Sequence, residues 1–197
     1  MASSVPSPGI ERPRAVASIA AIRATWSEMR ERAILHEILM GAQDNLTNVL
    51  AVMLGVAVGA GRSELVGLAG ASAAVAEAIS MGGVLYSATR ASGLGRSAGG
   101  GEPVAAASGL TPLASGLLTL IAGLVAGILP LLPFLVLDLT AAVVVSVLVS
   151  LVALFALGSW TGRIGGVVWW RDGLRLLLVG GAAALAAATI GTVLRVG

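Results

Sequence analysis

Cysteine and lysine are absent from the 197 residues, histidine occurs once, and aromatic residues make up only 4%. Without cysteine there are no disulfides, thiolate metal ligands or cysteine nucleophiles, and the redox compartment stays open. Charge is equally scarce. Charged residues are 11% of the chain, against roughly a quarter in ordinary soluble domains, which excludes a soluble globular protein and equally a disordered chain or a nucleic-acid reader. No HExxH or G-x-x-x-x-G-K motif occurs, and the G-x-S-x-G match at 95–99 lies in a Gly/Ser/Ala-rich linker rather than at a strand-to-helix turn, so enzyme chemistry finds no foothold and no resident cofactor is expected. No fixed-period repeat points to an inverted-repeat transporter. The first thirty residues lack an apolar run followed by a small-residue cleavage site, so no secretory leader is expected.

What is present is apolar and small: 57% hydrophobic residues and 27 glycines, the vocabulary of packed membrane helices. Five stretches carry at most one charge and are long enough to cross a ~30 Å hydrocarbon core: 38–61, 65–89, 109–129, 131–158 and 174–194. Arg62, Ser63 and Glu64 leave room only for a tight helical hairpin between the first two. "PLLP" at 130–133 ends the third span and makes a second hairpin with the fourth. Five spans put the termini on opposite sides. Ten arginines (12, 14, 23, 30, 32, 90, 96, 163, 171 and 175) fall on one face and only Arg62 and Arg195 on the other, so the amino terminus is expected in the cytoplasm.

Residues 14–35 differ in kind. Ala15, Ile19, Ile22, Trp26, Met29 and Ala33 recur at steps of three and four residues among Arg23, Glu28, Arg30 and Glu31, the pattern of an amphipathic helix on the cytoplasmic surface. Residues 1–13, with three prolines, read as a disordered tail, and the Gly/Ser/Ala-rich stretch "ASGLGRSAGGGEPVAAASG" between the second and third spans reads as a flexible linker.

An ionisable group inside a span costs roughly 2.5–3.5 kcal/mol on insertion scales. Three stand out: Asp44, Glu77 and Asp138. Asp138 lies near the outer end of the fourth span, where water or a helix end can serve it. Asp44 and Met81 are each 17 residues from the first turn, ~26 Å deep at 1.5 Å per residue. Glu77 is one turn nearer the outer face, level with Thr47 and Asn48. Asp44, Thr47 and Asn48 share one helical stripe, which Glu37 and Gly41 extend toward the cytoplasm, while Ala69, Ala73, Glu77 and Met81 form another. Two carboxylates and a thioether can therefore converge in mid-membrane, a mixture suited to a borderline divalent cation such as Fe(II), and less selectively Mn(II), Co(II) or Zn(II). Against this stand a methionine that only packs and a glutamate that is only protonated and hydrogen-bonded. One protomer supplies few ligands, but Gly55 and Gly59 form a GxxxG that allows a two-fold dimer doubling Asp44, Glu77 and Met81. His36, at the mouth of the first span, reads as interfacial rather than catalytic.

"GAQDNLTNVLAVMLGVAVGAG" followed by "LVGLAGASAAVAEAISMGG" resembles the first hairpin of the vacuolar iron transporter family, and "LLPFLVL", "LVALFALGSWTGR" and "WWRDGLRLLLVGGAAA" are similar to its later spans. The resemblance runs over residues 36–194. It implies a homodimer of five-span protomers exchanging cytosolic Fe(II), and often Mn(II), for protons along a path between the first two spans of both protomers, with Asp44 and Met81 at the positions of the family's metal-pathway Asp and Met. Two departures are visible. The glutamate that family members often carry eight residues before the methionine is Ala73 here, with Glu77 one turn later, and the glutamate-rich domain of long-form members is replaced by the linker around Glu102. The chain thus resembles the short, nodulin-like branch.

The expectation is an all-α, multi-pass membrane protein with five transmembrane helices and an amino-terminal surface helix, forming a homodimer in the lipid bilayer. It would move Fe2+ or Mn2+ out of the cytosol in exchange for protons. Asp44, Glu77 and Met81 would hold the metal, and Glu37, Thr47 and Asn48 would line the pathway or its entrance. The membrane would be the plasma (inner) membrane in a bacterium or the vacuolar membrane in a eukaryote. The alternatives are a non-transporting oligomeric scaffold or metal sensor, whose buried carboxylates only lock helices, and a passive cation channel that shares the site.

Overall fold

A computed structural model describes the backbone of residues 12–97 and 108–195, and side-chain surroundings within 28–92 and 108–195. The described chain is helical: α1 (Arg12–Ala60), α2 (Ser63–Ser97), α3 (Pro112–Ile128), a 3-10 segment (Leu129–Leu135), α4 (Leu139–Ile164) and α5 (Trp169–Val193). Each boundary has a local cause. Gly61 adopts φ +63°, a left-handed turn conformation that glycine enters without steric cost, and α2 restarts with Glu64 in its first turn, where the helix dipole favours a carboxylate. Thr111 caps α3, its hydroxyl accepting from Ala114 N at 3.3 Å, with proline following at the first helical position. Pro130 and Pro133 tighten the chain into the 3-10 segment, and the Pro130 carbonyl accepts from Ser146 Oγ at 2.8 Å.

The bundle is built around α1, which packs against each of the other four helices. On α3 and, apart from Leu154, on α4 small residues face inward and large ones outward, around large buried side chains of α1 such as Leu46, Leu50 and Met53. The buried positions of α3 are Ser115, Gly116, Thr119, Gly123 and Gly127, and those of α4 include Ala142, Ser146, Ser150 and Gly158, while Ile121, Val125, Leu148, Val152, Leu178 and Leu185 are exposed. That inversion is what a lipid solvent requires, since close backbone approach holds helices together there and apolar side chains face the acyl chains. α2, the stretch Pro112–Leu135, α4 and α5 are long and apolar enough to cross a membrane. In α1 the run Gln43-Asp44-Asn45 and Asn48 dilute the apolar surface of the corresponding stretch.

Several expected boundaries move. α1 is one helix from Arg12 to Ala60, without the break expected between a surface helix ending at 35 and a first span; no proline, or glycine in a turn conformation, lies there to interrupt it. The face at Ala15, Ile19, Ile22 and Trp26 lies outside the described side chains, as does the tail at 1–11. The second helix runs on to Ser97, into the expected linker, of which residues 98–107 lie outside the described chain. The fourth helix starts at Leu139 rather than at 131, because the two prolines hold the preceding residues in the 3-10 turn. Asp138 therefore sits at a helix end and not within a span: it caps α4, accepting from Ala141 N at 3.3 Å. Gly55 and Gly59 pack against Ala187 and Gly191 of α5 in the same protomer, so this GxxxG serves a close α1–α5 contact within the chain.

Arginines gather at one end of the bundle. Arg30 donates from Nε to the Ser108 carbonyl at 2.8 Å and from Nη2 to the Gly109 carbonyl at 2.9 Å, tying α1 to the entry of α3. Arg32 shares a cavity with Arg163 and Trp169. At the opposite end Arg62 pairs with Glu64, at 3.9 Å and exposed.

Candidate metal site between the first two helices

The register of α1 against α2 is set by a residue the sequence reading passed over. Asn45 is fully buried, and its Nδ2 donates to the Ala74 carbonyl of α2 at 2.9 Å. It fits because α3 offers no side chain there: a Cβ on Gly127 would come 2.6 Å from Asn45 Oδ1, and one on Gly123 3.1 Å from Nδ2. The signal in the sequence was the run of three polar residues at 43–45, which a single helical stripe cannot accommodate.

With Asn45 held, Asp44 and Asn48 are presented to α2 at Glu77, whose carboxyl group lies within side-chain hydrogen-bonding reach of both. Asp44, Asn48 and Glu77 are all half-buried. Met81, one turn beyond Glu77 along α2, is half-buried on the same helical face. Thr47 turns elsewhere: its hydroxyl donates to the Gln43 carbonyl of its own helix at 2.8 Å, and it lies opposite Gly180 of α5.

Glu37 is not an exposed entrance residue. It is 4% exposed and accepts a 2.6 Å hydrogen bond from Ser115 Oγ of α3, while its Oε1 is buried without a hydrogen-bond partner among the described residues. Thr119, one turn further along α3, has a buried hydroxyl in the same condition. His36 is half-buried and lines a small cavity with Arg32 and Asp172.

No three His, Asp or Glu side chains gather into a metal-binding group among the described residues. The arrangement is a facing pair of carboxyl groups, an amide within reach of one of them, and a thioether one turn away. Carboxylate and amide oxygens with a thioether suit a borderline divalent ion better than an all-oxygen magnesium or calcium site would.

Residues 96–192 match the model of the VIT family. The match supports membership in that family. It spans α3, the 3-10 segment, α4 and nearly all of α5, and leaves Asp44, Glu77 and Met81 outside the matched region. The match to the VIT family and the four long apolar helices point to a multi-pass membrane protein and, in general terms, to a transporter of metal ions. No curated protein matches the chain.

Proposed function

We propose that this VIT-family protein moves Fe(II) or Mn(II) out of the cytosol in exchange for protons, through a site formed by Asp44, Glu77 and Met81. The observation that carries the reading is that the Asp44 and Glu77 carboxyl groups lie within side-chain hydrogen-bonding reach of each other across α1 and α2. Two carboxyl groups this close hold either a shared proton or a cation, because two bare negative charges in a low-dielectric interior repel strongly. A divalent ion arriving at the pair displaces the proton, and a proton returning from the opposite face releases the ion. Mutual exclusion at one site is antiport in its simplest form. Asn48 orients the carboxylates, and Met81 favours a softer cation than magnesium or calcium.

In this reading α1 is a fifth span, its polar residues 43–48 facing the pathway, and the arginine-rich end is cytoplasmic by the positive-inside rule. Two carboxylates and a thioether are few ligands for one ion, and a second copy related by a two-fold axis doubles the set. The half-buried face of α2 bearing Ala73, Glu77 and Met81 fits that contact, since Gly55 and Gly59 are engaged with α5.

The test is anaerobic Fe(II) and Mn(II) flux into proteoliposomes holding the purified protein, with and without an imposed pH gradient, beside Asp44→Ala. Flux that grows with the gradient and vanishes in the variant is the expected result. Flux indifferent to the gradient would indicate a passive channel. Its absence from a well-folded oligomer would favour a scaffold or sensor.

A further inference from the structure

At the arginine-rich end, α1, α4 and the start of α5 enclose an open cavity of about 650 Å³, with Arg32 on one side and Arg163 on the other, and Trp160 and Trp169 in its walls. Neither arginine has a carboxylate partner among the described residues, where the one ion pair is Arg62 with Glu64. Arg163 is instead held over the Trp169 ring, its guanidinium carbon 5.3 Å from the centroid, and Arg171 stacks likewise on Trp170 at 5.5 Å. Stacking of this kind fixes the guanidinium plane while leaving its N–H groups free to donate.

A second cavity, of about 660 Å³, adjoins the first. The two share Ala156 and Trp160, and the second runs between α1, α3 and α4 along Ala42, Leu46, Leu118, Val125 and Ala153. Its lining is apolar, and Ile121 and Val125 at its rim are 56% and 67% exposed, so it opens sideways to the hydrocarbon. Trp160, Trp169 and Trp170 are about half exposed at the arginine end, which is where tryptophans sit at a membrane–water interface.

We propose that these adjoining cavities bind an anionic phospholipid, with the headgroup phosphate between Arg32 and Arg163 and one acyl chain along the α1–α3–α4 groove. Two cations without carboxylate partners call for an anion, and guanidinium groups pair well with phosphate oxygens. The groove decides the class of ligand. A soluble phosphate would use the arginines and leave the apolar walls empty, whereas a phospholipid fills both. The lipid would join α1, which carries Asp44, to the α4–α5 turn. The proposal rests on membrane embedding and is independent of the transport reading, so its test reads lipid retention rather than flux.

The full-length protein is taken from nanodiscs of equal phosphatidylglycerol and phosphatidylcholine and analysed by native mass spectrometry, with thermal stability in detergent read after addition of either lipid, sn-glycerol 3-phosphate or inorganic phosphate. Phosphatidylglycerol is expected to be retained preferentially and to stabilise. Arg32→Gln and Arg163→Gln should each weaken retention about fivefold, Ala153→Phe should reduce it by blocking the groove, and Arg62→Gln, at the other end, should leave it unchanged. Equal retention of the two lipids by the unmodified protein overturns the proposal whatever the variants do. So does phosphatidylglycerol retention that survives both arginine substitutions and the groove block. Stabilisation by inorganic phosphate or glycerol phosphate equal to that by the lipid assigns the arginines to a small soluble anion instead.

Discussion

The Glu77 carboxyl group of α2 lies within side-chain hydrogen-bonding reach of Asp44 on α1, with the Asn48 amide within reach of the same group. Glu77→Gln keeps shape and hydrogen-bonding capacity while removing the second negative charge. It is expected to leave a folded protein that has lost proton-dependent Fe(II) flux. Unchanged flux along a pH gradient would take Glu77 out of the mechanism.

Asn48→Ala removes an orienting amide, not a charge. Loss of such a partner typically costs 10–100-fold in metal affinity or activity. The half-saturating Fe(II) concentration for flux should rise by about tenfold or more, with thermal stability nearly unchanged.

Asn45→Ala should do the reverse. Its hydrogen bond to the Ala74 carbonyl holds α1 on α2, and interhelical polar contacts in membranes contribute about 0.6 kcal/mol on average and up to about 1.7 kcal/mol. Steric-trap or thermal unfolding in detergent should register a loss in that range, while the protein that remains folded still transports.

Ser115→Ala strips the donor from the Glu37 carboxylate, whose other oxygen already lacks a partner among the described residues. A buried acceptor left unsatisfied costs about 1–3 kcal/mol, so stability should fall and Glu37→Gln should be tolerated better. If Glu37 instead acted as an exposed cation attractor, Glu37→Gln would slow metal uptake chiefly at low ionic strength, and Ser115→Ala would have little effect.

Gly191→Ala puts a methyl group onto the Gly55 carbonyl oxygen. Overpacking a tight contact costs about 1–3 kcal/mol. Because the contact lies within one protomer, unfolding of the monomer should become easier with no selective shift in the monomer–oligomer balance. A selective loss of oligomer would return the GxxxG to a dimer interface.

The helical, lipid-embedded character was legible in the sequence, because composition and the length of apolar runs are properties that any fold of this chain must satisfy. The hairpin at Arg62–Glu64, the turn at "PLLP" and the gathering of arginines at one end likewise follow from local chemistry and chain length. Asp44 and Glu77 could be singled out as charges in apolar helices, and depth counting brought them to within a turn of each other. Tertiary packing decided which faces meet. It drew Asn45 into the α1–α2–α3 contact, turned Thr47 toward α5, buried Glu37 on Ser115, and set Gly55 and Gly59 against α5. A helical wheel gives the angle between side chains but not the helix each will face. In a chain so rich in glycine and alanine many close contacts are sterically open, and only the packing of all five helices together selects among them.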